Sequence, residues 1–118
     1  MKSKELIETF FRNTATVFPQ EALLTAFGAF AANLAQALGV DLPDSSLPSP
    51  EKDAEQIRWA TTMFYVGAIA GFPGEISWEK IKEAHLGLAF PWSRAIISRG
   101  IFGPGEVTDQ GIPTAYGV

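Results

Sequence analysis

The sequence contains no cysteine and only one histidine, His85. Without cysteine there is no disulfide bond, no thiol nucleophile and no cysteine-ligated metal. Basic residues are also scarce: nine Lys and Arg stand against thirteen Asp and Glu, for a net charge of −4. They form no cluster that would mark a basic face, so we expect no nucleic-acid partner.

The sequence also lacks the patterns of metal and phosphate sites. Glu83 lies two positions from His85, whereas helical di-iron sites place Glu and His three positions apart. The acidic residues around position 53 lack the spacing of a calcium loop and suit the positive end of a helix dipole. No glycine-rich segment leads into Gly-Lys-Ser/Thr. We therefore expect no metal ion and no cofactor.

Charge is absent from two long segments, Ala22–Val40 and Trp59–Gly74. Such segments are typical of helices buried in a small helical protein or of a membrane hairpin. The first segment sorts its side chains into two opposite helical faces, one apolar (Leu23, Phe27, Phe30, Leu34, Leu38) and one polar (Thr25, Asn33, Gln36). A lipid-facing helix has no reason to sort polar residues in this way. The pattern favours a buried helix over a membrane-associated hairpin.

Apolar periodicity and Pro/Gly breaks predict helices over residues 3–18, 19–38, 50–70, 77–90 and 92–99. Gly100 is expected to end the last of them, and Ser77 to cap the fourth. From Gly103 the chain is rich in Gly and Pro. The sequence therefore predicts an all-α fold, a compact bundle of four to five helices in residues 1–102. An extended Gly/Pro-rich C-terminal arm follows over residues 103–118.

The arm carries apolar residues, among them Ile112 and Tyr116, that suit docking better than solvation. We expect it to lie on a neighbouring subunit or on its own helices, with a frayed terminus as the alternative. Helix two has a ridge of small residues that includes Gly28 and Ala32. The ridge predicts close packing against another helix of the same chain. The alternative is that Gly28 and Ala32 form a Gly-x-x-x-Ala dimer seam between two membrane helices.

His85 is the natural candidate for acid–base chemistry, although a histidine between Ile81 and Leu88 also suits a core with one hydrogen bond. No serine or cysteine motif accompanies it. The aromatic residues could line an apolar ligand pocket around it or simply fill the core. The candidate ligand-binding residues are Trp59, Tyr65, Trp78, His85 and Trp92. Arg94, with Arg99, could pair with an anionic group of a partner.

These patterns favour a non-catalytic interaction or assembly subunit that self-associates through apolar helix faces and the C-terminal arm, since a small domain with this much apolar surface must cover it. Its candidate interface residues are Gly28, Ala32, Ile112 and Tyr116. One alternative is a small-molecule-binding protein or enzyme with an apolar, aromatic-lined pocket near His85. The other is a membrane-associated helical hairpin. Residues 6–11 are too short and too polar for a signal-peptide core, which favours the cytoplasm.

Overall fold

A computed structural model describes residues 1–41 and 54–117, and the side chains of 1–41 and 61–117. This part of the chain forms five α-helices followed by one turn of 3-10 helix at Thr114–Tyr116. The α-helices are α1 (Ser3–Thr14), α2 (Gln20–Ala37), α3 (Ala54–Ala70), α4 (Trp78–Leu86) and α5 (Pro91–Phe102). Among the described residues the only extended pairing is an isolated bridge between Val107 and Pro113. The predicted all-α fold is confirmed; the predicted beginning of the third helix lies outside the described residues.

Helix α2 is the centre of the bundle, because it packs against α3, α4 and α5, while α1 lies across α5 and α3. Its predicted apolar face is confirmed. Leu23, Phe27, Phe30 and Leu34 are buried, and Leu38 is half-buried. On the predicted polar face Thr25 and Gln36 are exposed, whereas Asn33 donates from Nδ2 to the Ala84 carbonyl of α4 at 3.2 Å.

The small-residue ridge of α2 packs within the same chain. A Cβ atom at Gly28 would lie 2.8 Å from Thr62 Oγ1, so glycine lets α3 approach α2 closely. The Thr62 hydroxyl then donates to the Leu24 carbonyl at 2.9 Å. This bond gives the buried hydroxyl a partner where the two helices cross, so their close approach does not leave it unpaired.

Helix α5 is longer than predicted and contains Gly100 instead of ending there. A Cβ atom at Gly100 would lie 2.0 Å from Cδ2 of Phe10, so the glycine makes room for the ring that α1 places on α5. The helix ends at Gly103, whose positive φ of +77° belongs to a backbone region that glycine adopts far more easily than other residues. The prediction was wrong because a packing glycine and a terminating glycine look the same in a sequence.

Helix α1 is shorter than predicted and ends at Thr14. The Thr14 hydroxyl donates to the Phe10 carbonyl at 2.6 Å, and the Thr14 carbonyl accepts the N–H groups of Val17 and Phe18. These bonds form a turn before Pro19, which precedes α2. The two helices are thus joined by a short turn, as the sequence indicated.

The predicted N-cap of α4 is confirmed: the Ser77 side chain accepts from the Lys80 N–H at 3.3 Å. Ile76 and Ile81, flanking the cap, are both buried. Because the cap satisfies one free N–H of the first turn, Ser77→Ala should lower the free energy of unfolding by about 1 kcal/mol, measured by urea denaturation. Ser77→Asp, which restores an acceptor, should recover most of this loss. Equal losses from both variants would contradict the capping role.

Within residues 1–41 and 54–117, no helix combines the length and the apolar character needed to cross a membrane.

Candidate functional site

His85 lies on the inner face of α4 and is 0% exposed. Its Nε2 is 2.8 Å from the Arg94 carbonyl, and its Nδ1 is 2.7 Å from the Tyr116 hydroxyl. A carbonyl can only accept, so the neutral ring must carry its proton on Nε2. Nδ1 therefore accepts a hydrogen bond from Tyr116. Both ring nitrogens are engaged inside the fold, one by α5 and one by the C-terminal tail.

Burial is the largest cause that lowers the pKa of His85, and the positive charge of Arg94 lowers it further. The hydrogen bond to the Arg94 carbonyl acts in the opposite direction. The lowered pKa keeps the ring neutral at pH 7. A neutral ring with both nitrogens occupied offers no free position to a substrate proton.

The tail closes an aromatic cluster over His85. Trp78 of α4, Phe102 of α5 and Tyr116 meet in edge-to-face pairs, with ring centroids 5.3, 5.7 and 5.9 Å apart. The Lys82 ammonium lies 4.9 Å from the centroid of the Tyr116 ring. Burial raises the pKa of Tyr116 to about 12. The Tyr116 hydroxyl is therefore a permanent donor to His85 at neutral pH.

Arg94 holds the middle of the tail. Its Nε donates to the Gln110 carbonyl at 2.6 Å, and its Nη1 donates to the Leu88 carbonyl in the α4–α5 connection. Next to it Gly111, with φ of +75°, is buried so closely on α5 that a Cβ atom would lie 2.3 Å from the Pro91 carbonyl oxygen. The sequence predicted that the arm docks either on a neighbouring subunit or on its own helices. The described residues of the arm lie on the helices of the same chain. Arg94, for which the sequence suggested an anionic partner, bonds backbone carbonyls of its own chain.

An apolar groove lies between α1, α2 and α3, on a different side of α2 from α4. It has a volume of about 500 Å³, and in the part of the chain whose side chains are described none of the residues that line it is charged. The residues that form its walls include Ile7, Phe11, Leu23, Leu24, Met63 and Val66. Met63 is 55% exposed. We call this feature the α1–α2–α3 groove.

A second, smaller groove of about 270 Å³ lies between α2 and α3 and is lined by Gly28, Ala32 and Tyr65. It shares Leu24 and Thr62 with the α1–α2–α3 groove, so the two form one apolar surface.

The residues predicted for one ligand pocket are therefore found in different places. Trp78 and His85 meet at the tail, whereas Tyr65 lies in the smaller α2–α3 groove. Trp92 stacks on Phe90 at the beginning of α5, and both rings are exposed. The side chain of Trp59 lies outside the described residues. Of the predicted interface residues in the arm, Ile112 and Tyr116 are both half-buried on the chain's own surface.

Sequence reasoning missed the α1–α2–α3 groove. Its signal was present in the charge-free segment Trp59–Gly74, which is apolar on every side of a helix. A helix of this kind needs more cover than one neighbour supplies. Metal chemistry gains no support from the described part of the chain, where no three His, Asp or Glu residues group as a metal site.

Comparison of this chain with protein-family models, with curated protein sequences and with solved structures gave no match.

Proposed function

We propose that this protein is a non-catalytic assembly subunit that self-associates through the α1–α2–α3 groove. The observation that carries the proposal is the exposure of α3. Between residues 61 and 70 the helix has no charged residue, yet only Thr62 and Ile69 are buried. Met63 is more than half exposed, and Phe64, Tyr65 and Val66 are half-buried. Apolar side chains left exposed on a helix in this way are typical of a protein–protein interface.

A second copy of the chain is the partner that fits best. The described lining of the groove carries no charge, so the surface that fills this part should be apolar as well. The exposed side of α3 borders the groove, and two copies related by a twofold axis can each place α3 in the groove of the other. Such self-complementary pairs are the commonest form of protein oligomer. A cytoplasmic location is part of the same proposal.

The catalytic alternative has less support at His85. Both ring nitrogens are bonded within the fold, and the ring has no exposed surface. An acid–base residue needs a free nitrogen within reach of its substrate.

Met63→Glu tests the proposal. The position is exposed in one copy, so the substitution should leave the melting temperature nearly unchanged. In a dimer it would bury an unpaired carboxylate, and we expect the dissociation constant to rise by about a hundredfold or more. Light scattering over a concentration series measures this constant. Each copy carries a net charge of −4, and the described lining of the groove has no charged residue that could form an ion pair. Salt should therefore strengthen the association.

Leu86→Glu is the matched control. Leu86 is 42% exposed on α4, away from the groove, and the substitution adds the same charge to a helix surface. It should leave the dissociation constant within about twofold, as expected of a surface site outside an interface. A wild-type protein that stays monomeric at about 100 μM, a concentration at which even a weak micromolar dimer forms, would overturn self-association.

A small apolar ligand is the second candidate occupant, because the groove volume of about 500 Å³ lies in the range of ligand pockets. In that case the protein stays monomeric and binds the dye anilinonaphthalene sulfonate. Met63→Glu should weaken this binding and Leu86→Glu should not.

A further inference from the structure

The tail is joined to the helices by two polar contacts of different kinds. The Arg94 guanidinium donates to the Gln110 carbonyl, and this group stays charged at any ordinary pH. His85 bonds Tyr116 with a ring that can gain a proton in the range where cells vary their pH. The first contact anchors residue 110, and the second holds the Tyr116 end of the 3-10 turn, whose first residue, Thr114, bonds the Glu106 carbonyl within the tail. Only the second can respond to mild acid.

We propose that the His85–Tyr116 contact is a pH-sensitive switch: protonation of His85 releases the end of the turn at Tyr116 and separates the Tyr116 ring from the rings of Trp78 and Phe102. The Arg94–Gln110 bond stays in place and confines the motion to the end of the tail. This inference is independent of the α1–α2–α3 groove and of what occupies it.

The burial of His85 supplies the reason. In the neutral ring Nε2 donates to the Arg94 carbonyl, and Nδ1 is left as an acceptor for Tyr116. A proton on Nδ1 reverses the second bond: the ring becomes the donor, and the Tyr116 hydroxyl accepts and turns its own proton away. The new positive charge then lies on a ring that has no exposed surface. Burying this charge without a counter-charge is costly, and the cost favours release of Tyr116.

The surroundings of the pair offer no such counter-charge among the described residues. From α5 the positive charge of Arg94 acts on His85 and lowers its pKa. From α4 itself the Lys82 ammonium lies over the Tyr116 ring. From α2 the polar contact to α4 is the neutral amide of Asn33. Tyr116, from the tail, stays protonated because burial raises its pKa to about 12. A protonated His85 would be a third positive charge, and release of the turn lets water solvate it.

The direction of the pH dependence follows from linkage. Burial holds the pKa of His85 below its usual value of 6.5 while the turn is docked, and release returns it toward that value. The docked state thus binds fewer protons than the released state. Docking is complete above about pH 6.5 and weakens as pH falls from there toward the docked pKa, by up to about tenfold per pH unit for one proton.

Nuclear magnetic resonance of the full chain tests the switch between about pH 8 and pH 4.5, a range that spans the histidine titration. The His85 ring shifts report its protonation, and nuclear Overhauser contacts from the Tyr116 ring to Trp78 and Phe102 report docking. We expect the contacts to vanish with the same midpoint as the His85 titration. Contacts between Phe10 and Phe27, in the core, should persist and so exclude global unfolding.

Two variants separate the switch from a merely structural histidine. In His85→Gln the contacts of Tyr116 should no longer depend on pH, because glutamine does not titrate. In Tyr116→Phe the ring remains but the hydroxyl is lost, so the pKa of His85 should rise toward its usual value. If His85→Gln fails to fold, the wild-type titration and Tyr116→Phe still test whether protonation of His85 releases Tyr116. Tyr116 contacts that persist after His85 is protonated would overturn the proposal.

Discussion

Phe27→Ala should lower the free energy of unfolding by about 3–5 kcal/mol, the usual loss for a buried phenylalanine. Phe27 is 0% exposed at the centre of α2. Its ring centroid lies 4.2 Å from that of Phe10 and 5.2 Å from that of Phe11, so truncation empties the contact between α1 and α2. The surrounding structure relaxes only partly into such a space, so a cavity remains. Urea denaturation measures the loss.

Gln36→Lys on the exposed side of α2 is the control and should cost less than about 0.5 kcal/mol. Two results would contradict this assignment of faces. A loss below about 1 kcal/mol from Phe27→Ala would remove that residue from the core. A loss above about 2 kcal/mol from Gln36→Lys would show that a partner covers the opposite face.

Gly100→Ala should be nearly as damaging, although alanine is the better helix former. A Cβ atom there would lie 2.0 and 2.5 Å from two ring atoms of Phe10, which is itself buried. The ring cannot move away without disturbing Phe27, on which it packs. Overpacking of this kind costs about 1–3 kcal/mol or more, which should exceed the helix-propensity gain of about 1 kcal/mol. A clash this short calls for the upper end of that range, about 3 kcal/mol, so after subtraction of the propensity gain we expect a net loss of about 2 kcal/mol.

Gly67→Ala is the matched control, since Gly67 is also inside a helix but has no atom within 4 Å of the added Cβ. This variant should stabilise the protein by about 0.5–1 kcal/mol, the propensity gain alone. Phe10→Leu combined with Gly100→Ala should cost less than the sum of the two single changes, because the smaller side chain relieves the clash. A neutral or stabilising Gly100→Ala would show that α1 and α5 are less closely packed than the structure has them.

Much of the fold could be read from local patterns. The charge-free segment Ala22–Val40 predicted a buried helix, and its apolar stripe is the core face of α2. Ser77 predicted the N-cap of α4 because a cap is a contact between residues three positions apart. The spacing of apolar residues, the capping residues and the absence of charge are visible within a few consecutive turns of a helix. Predictions that rest on them therefore do not depend on residues far away in the sequence.

The candidate site could be predicted only in part. His85 was expected in the core with one hydrogen bond, and it has two. The second comes from Tyr116, 31 positions further along the chain. No spacing rule joins such residues, because the intervening helix and tail turn back only through packing. The same holds for Trp78, Phe102 and Tyr116, which are separated in sequence and meet as one aromatic cluster.

The sequence alone determined the helical class, the composition of the core helix, the absence of cysteine chemistry and the places where most helices begin. These follow from local backbone preferences and from the period of apolar residues. Tertiary structure decided that Gly100 lies within α5, that the tail is anchored by Arg94 on its own helices, and that the ring nitrogens of His85 are both occupied. Each of these features depends on contacts between residues that are far apart in the sequence. The residues next to a glycine, an arginine or a histidine do not indicate which distant residue will contact it in the folded protein.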